Sequence, residues 1–235
     1  MPIDPLLLKQ FDLFKPVPIE VINQICQYAQ LVEVPRRKVV MEKNKHAHSL
    51  GLLMEGRLQG VDVKLDGREA GLYFVEPNDF FGELAVVDRL PTHEYVISLA
   101  PSRFITVHAN IISQLLNEIP QVAAIINARL AQRLREALVQ RTLLTMSSPM
   151  QRVCAQLIQL TIKSPGGDQI ITLTPTHQEI AIMINVTRET VTRVFQKLQS
   201  DGVIIRNGNA LEIKDIHYLN HAANGAIGKI EQPNL

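Results

Sequence analysis

The spacing of apolar and polar positions changes along the chain and divides it into regions of different predicted structure. Residues 6–30 repeat apolar side chains at a helical spacing. Between residues 31 and 108, short apolar segments are separated by turn residues such as Glu55-Gly56 and Asp66-Gly67, which is typical of strands in an antiparallel barrel or sandwich. The candidate strands are residues 38–41, 50–54, 58–63 and 95–99. We therefore predict an α+β chain whose first half is an antiparallel β domain.

A long helical segment follows the predicted strands. Residues 109–118 form a short predicted helix, and Pro120 suits the first turn of a second one because its fixed φ and missing N–H are tolerated there. No Gly or Pro occurs from Gln121 to Met146, and a helix of about 25 residues spans roughly 38 Å. That length exceeds one small barrel and favours self-association of two copies along residues 119–147. The alternative is packing on its own domain, and Arg141 interrupts one heptad register.

The last region shows the pattern of a winged helix-turn-helix. Ser147-Ser148-Pro149 breaks the long helix, Thr176 with Glu179 forms a capping box, and Asp201-Gly202 ends the second helix of a pair. Asn207-Gly208 then joins two short apolar runs as a hairpin. We predict this domain over residues 148–218, a first domain over 1–118, the helix over 119–147 and a flexible, polar tail over 219–235.

The second helix of the pair has two chemically opposite faces. Its apolar stripe consists of Val191, Val194, Phe195 and Leu198. Its polar face consists of Arg188, Glu189, Thr192, Arg193 and Gln196. A helix that presents Arg, Glu and Arg from its first turns is suited to read base edges in the major groove. The alternative is that these charges are merely solvated. We predict a sequence-specific protein that binds double-stranded DNA, as a two-fold dimer on a palindromic site.

Composition limits the remaining function classes. The 235 residues are 46% hydrophobic and 20% charged, with a formal net charge of +1, so DNA binding must depend on a local patch. The first residues lack the pattern of a secretory signal, and no apolar run of about 18 residues occurs. We expect a cytoplasmic protein without a membrane span, in which Cys26 and Cys154 are buried, reduced thiols. No catalytic or nucleotide-hydrolysing motif occurs, so we expect no enzyme activity, and the sequence identifies no cofactor.

One segment carries a family resemblance. Gln178-Glu179-Ile180 together with residues 187–193 resembles the Crp/Fnr family of bacterial transcription regulators, and the resemblance extends over residues 10–216. It implies a homodimer with an N-terminal β-roll of the cyclic-nucleotide-binding type, a dimerisation helix and RNA polymerase as a further partner. The family usually places Gly between the two helices, where this chain has Asn185, a residue that tolerates the left-handed conformation.

The resemblance also assigns roles to the polar face. It implies that Arg188 and Arg193 contact guanines and that Glu189 accepts from a cytosine amino group in a half-site TGTGA paired with TCACA. Base chemistry agrees, because Arg matches O6 and N7 of guanine and a carboxylate matches the N4 donor of cytosine. The expected phosphate-positioning residues are Thr176, His177, Gln178 and Lys197.

A second resemblance lies in the predicted β domain. Phe81-Gly82-Glu83-Leu84-Ala85 followed by Pro91 is similar to the phosphate-binding cassette of cyclic-nucleotide domains, which implies that residues 82–85 wrap a ribose and phosphate. Directly after the proline the family places an Arg on the cyclic phosphate, but this chain has Thr92, then His93 and the acidic Glu94. Loss of that charge-assisted bond would weaken cyclic AMP binding roughly ten- to a hundredfold. His93 is the histidine most worth testing as an effector contact, although a plain barrel residue is the favoured interpretation.

The long helix also lacks residues with which the family contacts the nucleotide. The family's adenine-contacting Thr-Ser pair aligns with Ala137-Leu138, whose side chains form no hydrogen bonds. We therefore hypothesise that the β-roll has lost or changed its cyclic-nucleotide effector. The alternative is a cyclic-AMP-responsive regulator in which Arg89, or Arg133 or Arg141 from the partner's helix, restores the phosphate contact.

Two rival functions come from other classes, namely a ligand-sensing regulatory subunit of an enzyme and a small enzyme of unknown type, and the missing catalytic site disfavours the second. A ligand-sensing regulatory subunit of an enzyme would contain a cyclic-nucleotide-type domain but would need no base-reading helix. His46 and His48 could form a metal pair, but no further ligand is evident nearby, so we expect a solvated loop and no metal site.

Overall fold

The computed structural model describes residues 3–63, 69–164 and 167–225. The chain divides into two compact units, the first ending at Ala137 and the second beginning at Leu138. The division falls inside the long helix, and the domain boundaries expected at residues 118 and 147 stay predictions. Among the residues described, no helix has both the length and the apolar character needed to cross a membrane.

The first unit combines two antiparallel sheets with helices. Helices α1 (Pro5–Lys9) and α2 (Ile19–Cys26) precede the strands. The strands are β1 (Gln30–Val34), β2 (Val39–Met41), β3 (Ser49–Glu55), β4 (Leu58–Val63), β5 (Glu69–Val75), β6 (Phe80–Phe81), β7 (Tyr95–Ser98) and β8 (Ser102–His108). One four-stranded sheet has the order β1-β8-β3-β6 and the other β2-β7-β4-β5. The predicted antiparallel β domain is confirmed, while the turn expected at Asp66-Gly67 lies outside the described residues.

Strand β3 contributes side chains to two separate hydrophobic cores of this unit. Leu50 and Leu52 face the core that the helices share, and Leu53, on the opposite face, packs between the sheets. Because both faces are buried, the strand is apolar almost throughout. Gly51 faces the second core, where an added Cβ would lie 2.2 Å from the ring of Phe81. Only glycine therefore fits beside that ring without a shift.

Three further helices belong to this part of the chain, and the last of them extends beyond Ala137. Helix α3 (Glu83–Asp88) lies between β6 and β7 in the chain, α4 (Ala109–Glu118) follows β8, and α5 (Pro120–Thr145) is 26 residues long. Both α4 and α5 begin where the sequence predicts. Val122 and Ile126 of α5 are buried in the core shared with the first two helices.

The second unit is the predicted winged helix-turn-helix. Its elements are α6 (Pro149–Leu160), β9 (Ile162–Lys163), β10 (Gln169–Ile171), α7 (His177–Ile184), α8 (Arg188–Ser200), β11 (Ile204–Asn207), β12 (Ala210–Ile213) and α9 (Ile216–Ala223). The strands form one sheet in the order β11-β12-β10-β9. Asn207-Gly208 makes the predicted hairpin turn, with Gly208 at φ 60°.

The prediction of a flexible tail from residue 219 is wrong for residues 219–223. These residues complete α9, which packs against α6 and buries Leu219, Ala222 and Ala223. Asp215 caps the helix by accepting from the Tyr218 N–H at 2.8 Å. Residues 226–235 lie outside the described residues, as does Pro165-Gly166 of the predicted loop.

Candidate nucleic-acid interface and ligand pocket

Local capping positions the two helices of the pair. Thr176 accepts from the Glu179 N–H at 3.3 Å, and the Glu179 carboxylate accepts from the Thr176 N–H at 2.9 Å, which completes the predicted capping box. Thr187 caps α8 by accepting from the Thr190 N–H at 3.2 Å. Between the helices, Asn185 adopts the left-handed conformation, with φ 53° and ψ 54°. Asn therefore replaces the usual Gly without changing the turn.

The two predicted faces of α8 are both present. The apolar stripe of Val191, Val194, Phe195 and Leu198 is at most 3% exposed. Arg188, Glu189 and Arg193 are exposed on the opposite side. Within the described ranges, none of these three charged groups has an ion-pair partner on its own chain. They are therefore available to an external ligand, as base reading requires.

His177 joins α7 to α8 rather than projecting freely. Its Nδ1 lies 2.8 Å from the Thr192 hydroxyl, and its ring lies 4.6 Å from the ring of Phe195. The Thr192 hydroxyl donates its one proton to the Arg188 carbonyl at 3.0 Å, so Nδ1–H of His177 is the donor to Thr192. Burial lowers the pKa of His177, and the positive charges of Arg206 and Arg188 lower it further. The imidazole is therefore neutral near pH 7.

The other predicted phosphate-positioning residues lie at the same surface. Thr176 and Gln178 are exposed at the start of α7, although the hydroxyl of Thr176 is used in the cap. Lys197, also exposed, forms an ion pair with Asp201 at 3.1 Å. Their contacts with phosphate stay predictions.

Sequence reasoning missed Arg206, which belongs to the wing. It is exposed on β11, its Nε donates to the Gly208 carbonyl at 3.3 Å, and its charge acts on His177 together with that of Arg188. The wing thus adds a cation to the side of the helix pair that carries the N-terminal end of α8. The sequence feature that could have identified Arg206 is the Asn207-Gly208 turn, because the residue before this turn lies at the tip of the hairpin.

In the first unit, a carboxylate of the cassette forms an ion pair with a residue of the long helix. Gly82 has φ +87°, and Glu83, the first residue of α3, is only 4% exposed. The Glu83 carboxylate pairs with Nε of Arg133 on α5 at 3.3 Å. Ala85 is buried, whereas Leu84 is 48% exposed. The Glu83 carboxylate belongs to the segment that the resemblance assigns to a ribose and phosphate. It therefore already has a partner within the protein.

Tyr73 and Phe74 complete the surroundings of Arg133. The guanidinium carbon lies 3.4 Å from the centroid of the Tyr73 ring, and Nη1 donates to the Phe74 carbonyl at 3.4 Å. The Tyr73 hydroxyl donates to Glu94 at 2.9 Å. Burial, and next the negative charge of Glu94, raise the pKa of Tyr73 well above its usual value. No local sequence pattern indicates this cluster, because its members come from segments that are far apart along the chain.

Thr92, predicted to meet the effector, is a buried structural residue. It is 5% exposed, and its hydroxyl donates to the Glu42 carbonyl at 2.6 Å, with the Lys45 carbonyl at 3.2 Å. Its proton is therefore already used within the protein. His93 is exposed. Its role as an effector contact stays a prediction.

Comparison with known proteins agrees with both units. The family model for the cyclic nucleotide-binding domain matches residues 31–118, and that for the Crp-like helix-turn-helix domain matches residues 151–222. The chain is 26% identical over 218 residues to the "Cyclic AMP receptor protein" of Thermus thermophilus, covering 93% of this chain and 99% of that protein. It is 26% identical over 212 residues to the "CRP-like cAMP-activated global transcriptional regulator" of Mycobacterium tuberculosis, covering 89% and 95%. The chain belongs to the Crp/Fnr family of transcriptional regulators.

Solved structures show the same fold. FixK2 from Bradyrhizobium japonicum superposes with a TM-score of 0.71 at 19% identity, over 83% of this chain and 96% of that one. A Crp/Fnr-family regulator from Eubacterium rectale superposes with a TM-score of 0.66 at 19% identity, over 92% and 99%. The predicted α+β fold, with a β-roll, a long helix and a winged helix-turn-helix, is confirmed.

The cassette of this Crp/Fnr regulator departs at two positions from the pattern that holds a cyclic phosphate. Thr92 stands where the cassette needs a cation, and Glu94, 5% exposed, adds a buried carboxylate two residues further on. Glu83 is already paired with Arg133 of the same chain. The contact of Arg133 with a partner's phosphate, which one alternative requires, stays a prediction. Arg89 and Arg141 are exposed.

The histidine pair lies at a separate cleft of the first unit. This cleft, of about 280 Å³, is lined by His46 and His48 together with residues of β2, β3 and β8. Nearby Glu42 forms an ion pair with Lys45 at 2.7 Å. In the described part of the chain, no group of three or more His, Cys, Asp or Glu side chains could hold a metal ion.

Proposed function

We propose that this regulator acts as a homodimer that reads a palindromic TGTGA-type operator through α8, with RNA polymerase as its partner in transcription. The observation that carries the proposal is the exposed triad of Arg188, Glu189 and Arg193 on a helix whose opposite face is buried. Two guanidinium groups match guanine acceptors and one carboxylate matches a cytosine donor, which is the pattern of that half-site.

Exposed apolar residues on α5 support the homodimer. Leu134 is 61% exposed, Leu138 54% and Val139 50%, in the middle of a 26-residue helix. Apolar residues spaced at helical intervals on a long exposed helix are suited to pack against a second copy of that helix. A two-fold dimer places the two copies of α8 one DNA turn, about 34 Å, apart on a palindrome.

The specificity of α8 is tested by selecting bound DNA from a random pool and then titrating the selected site with variants. Arg188→Ala should weaken binding by about 1–3 kcal/mol and relax base choice at one position of each half-site. Lys38→Ala, which removes a positive charge from an exposed site of the first unit, is the control and should change neither quantity. An unchanged affinity and base preference in Arg188→Ala would refute the reading role.

The dimer is tested separately by sedimentation of Leu138→Glu. A carboxylate in an apolar helix seam is unfavourable, so the variant should sediment as a monomer where the natural chain sediments as a dimer. Glu136→Gln, another exposed position of the same helix, should leave the dimer intact. A dimer that persists unchanged in Leu138→Glu would exclude this part of α5 from the interface.

We further propose that the roll does not respond to cyclic AMP. The relatives quoted above carry cyclic AMP in their names, so calorimetric titration with cyclic AMP and cyclic GMP is the direct experiment. We expect no binding in the low-micromolar range, because the phosphate would meet Thr92 and Glu94 instead of a cation. Low-micromolar binding would instead favour the cyclic-AMP-responsive alternative.

A further inference from the structure

His177 lies at the surface of the helix pair that carries the reading residues. It is the first residue of α7, and its Nδ1–H donates to the Thr192 hydroxyl at 2.8 Å. Thr192 follows Arg188 by one turn on the polar face of α8, and its hydroxyl donates to the Arg188 carbonyl at 3.0 Å. The imidazole is therefore joined to the reading helix on the side of its polar face.

The second ring nitrogen of His177 is available to an external ligand. Because Nδ1 carries the proton of the neutral ring, Nε2 carries only a lone pair. The side chain is half-buried, and Nε2 is reachable from solvent and has no hydrogen-bond partner among the described residues. A lone pair cannot donate to a phosphate oxygen, whereas Nε2–H of the protonated ring can, and protonation adds a positive charge. Only the protonated ring is therefore suited to a phosphate.

In the free chain, the surroundings of His177 oppose this protonation. Its ring packs on the ring of Phe195, and burial is the largest of the causes that lower its pKa. The charged groups that act on it are both cations, Arg206 on β11 and Arg188 on α8. The Glu179 carboxylate of its own helix is used in the capping box, and no carboxylate pairs with His177 in the described part of the chain. The free chain therefore keeps the ring neutral near pH 7.

A bound duplex reverses the two electrostatic causes. DNA carries one negative charge per about 1.7 Å of its axis, so its phosphates attract positive charge over the whole contact surface. Arg188 and Arg206 then face negative charge, which offsets their repulsion of an imidazolium. A phosphate oxygen beside Nε2 is also the acceptor that the protonated ring lacks in the free chain, and an opposite charge so close favours the charged form.

We propose that binding of DNA loads a proton onto Nε2 of His177, which then donates to a phosphate, so that acidification raises the affinity of this regulator for its operator. The inference rests on the proposed reading of DNA by α8. At high pH, His177 only links α7 to α8 through Thr192, and at low pH it adds a charged contact with the backbone of the duplex. Both forms keep the Nδ1–H bond to Thr192, so the reading helix stays in place while the charge changes.

Fluorescence anisotropy of the full chain with a palindromic duplex of TGTGA and TCACA half-sites tests the proposal. Between pH 8 and pH 6 the Kd should fall roughly tenfold for each bound subunit, since one pKa unit between the free and bound states corresponds to a tenfold change in affinity. The slope of log Kd against log salt should be steeper at pH 6 by about 0.9 for each subunit, because one more phosphate is neutralised. An affinity that is independent of pH, or that falls on acidification, would overturn the proposal.

Substitutions of His177 separate its charge from its contact with α8. His177→Gln keeps a donor for Thr192 but has no titratable group, so its affinity should not change with pH. His177→Arg carries a permanent cation and should bind tightly at both pH values. His217→Gln is the matched control and should keep the pH dependence, because His217 is exposed on α9, where the neighbouring Tyr218 donates to Asp201 at the other end of α8. A pH dependence that survives in His177→Gln would contradict the assignment.

An NMR titration of the natural chain keeps the proposal testable if a variant does not fold. The ring signals of His177 should show a higher pKa with the duplex bound than without it, and an equal or lower pKa in the complex would refute proton uptake. A shuffled duplex separates this inference from base reading. Phosphate contacts carry no base information, so the preference for the palindrome should stay constant as pH falls. Equal binding of the two duplexes would refute base reading, while their pH dependence would still test the proton.

Discussion

The turn between α7 and α8 offers a quantitative test of how the reading helix is held. Asn185 is exposed and sits at φ 53° and ψ 54°, and its N–H donates to the Ala181 carbonyl as the cap of α7. A left-handed conformation costs an ordinary L-residue about 1–2 kcal/mol, Gly nothing and Asn an intermediate amount. We therefore expect Asn185→Ala to be less stable than Asn185→Gly by about 1 kcal/mol, with the natural chain between them. Because the side chain is exposed, little packing energy is lost in either variant.

Calorimetry of the full chain measures this difference directly. For a unit of this size, about 1 kcal/mol corresponds to a shift of roughly 4–8 °C in the midpoint of its own transition. Operator affinity should be unchanged in Asn185→Gly, because the turn that places α8 is kept. If Asn185→Gly were as destabilised as Asn185→Ala, a contact of the Asn side chain would be decisive and the conformational argument would be wrong.

Three further expectations concern single positions. Thr176→Ala removes the acceptor for the Glu179 N–H and should cost about 1 kcal/mol in urea unfolding, whereas Thr176→Ser should cost little; equal losses would argue against the cap. Gly51→Ala forces a Cβ against Phe81 and should cost about 1–3 kcal/mol, partly recovered by Phe81→Leu; a neutral effect would contradict the packing. The folded-state pKa of His177 is lowered, so its contribution to stability is present above its unfolded pKa and is lost as pH falls through the folded one. His177→Gln should flatten this dependence below about pH 6.5, and an unchanged pH profile would exclude the assignment.

The second unit was largely predictable because its signals are local. Thr176 and Glu179 are three positions apart, and the buried stripe of α8 repeats within four, so both follow from helix geometry alone. Asn207-Gly208 likewise encodes a turn in two residues. Such features need no knowledge of what else the chain packs against, and the structure places all of them as expected.

Helix α9 was missed because its burial depends on distant residues. Ile216–Ala223 contains His, Asn and Tyr between its apolar positions, and its sequence alone resembles a polar tail. Only packing against α6, more than fifty residues earlier, buries Leu219 completely. Tertiary packing therefore decides the conformation where the local pattern is ambiguous.

The ion pair of the cassette shows the same limit of local sequence patterns at a candidate site. Glu83 and Arg133 are 50 positions apart, and nothing in the sequence around Arg133 distinguishes it from Arg135, which is exposed. From the sequence, the cassette shows only losses, namely a missing Arg at Thr92 and a missing Thr-Ser pair on α5. The structure adds a contact, since the Glu83 carboxylate is paired with the Arg133 guanidinium of its own chain.

That contact distinguishes two states of the Glu83 carboxylate that the sequence leaves equivalent. A pocket that had merely lost its ligand would keep its carboxylate facing water, where substitutions around it would be nearly neutral. Here Glu83 is buried and its partner Arg133 stacks on Tyr73, so removing either one leaves an uncompensated charge. The stability of the roll therefore depends on this ion pair. Substitution of Glu83 or Arg133 is therefore expected to destabilise the roll, whereas substitution of the exposed Arg135 on the same helix is not.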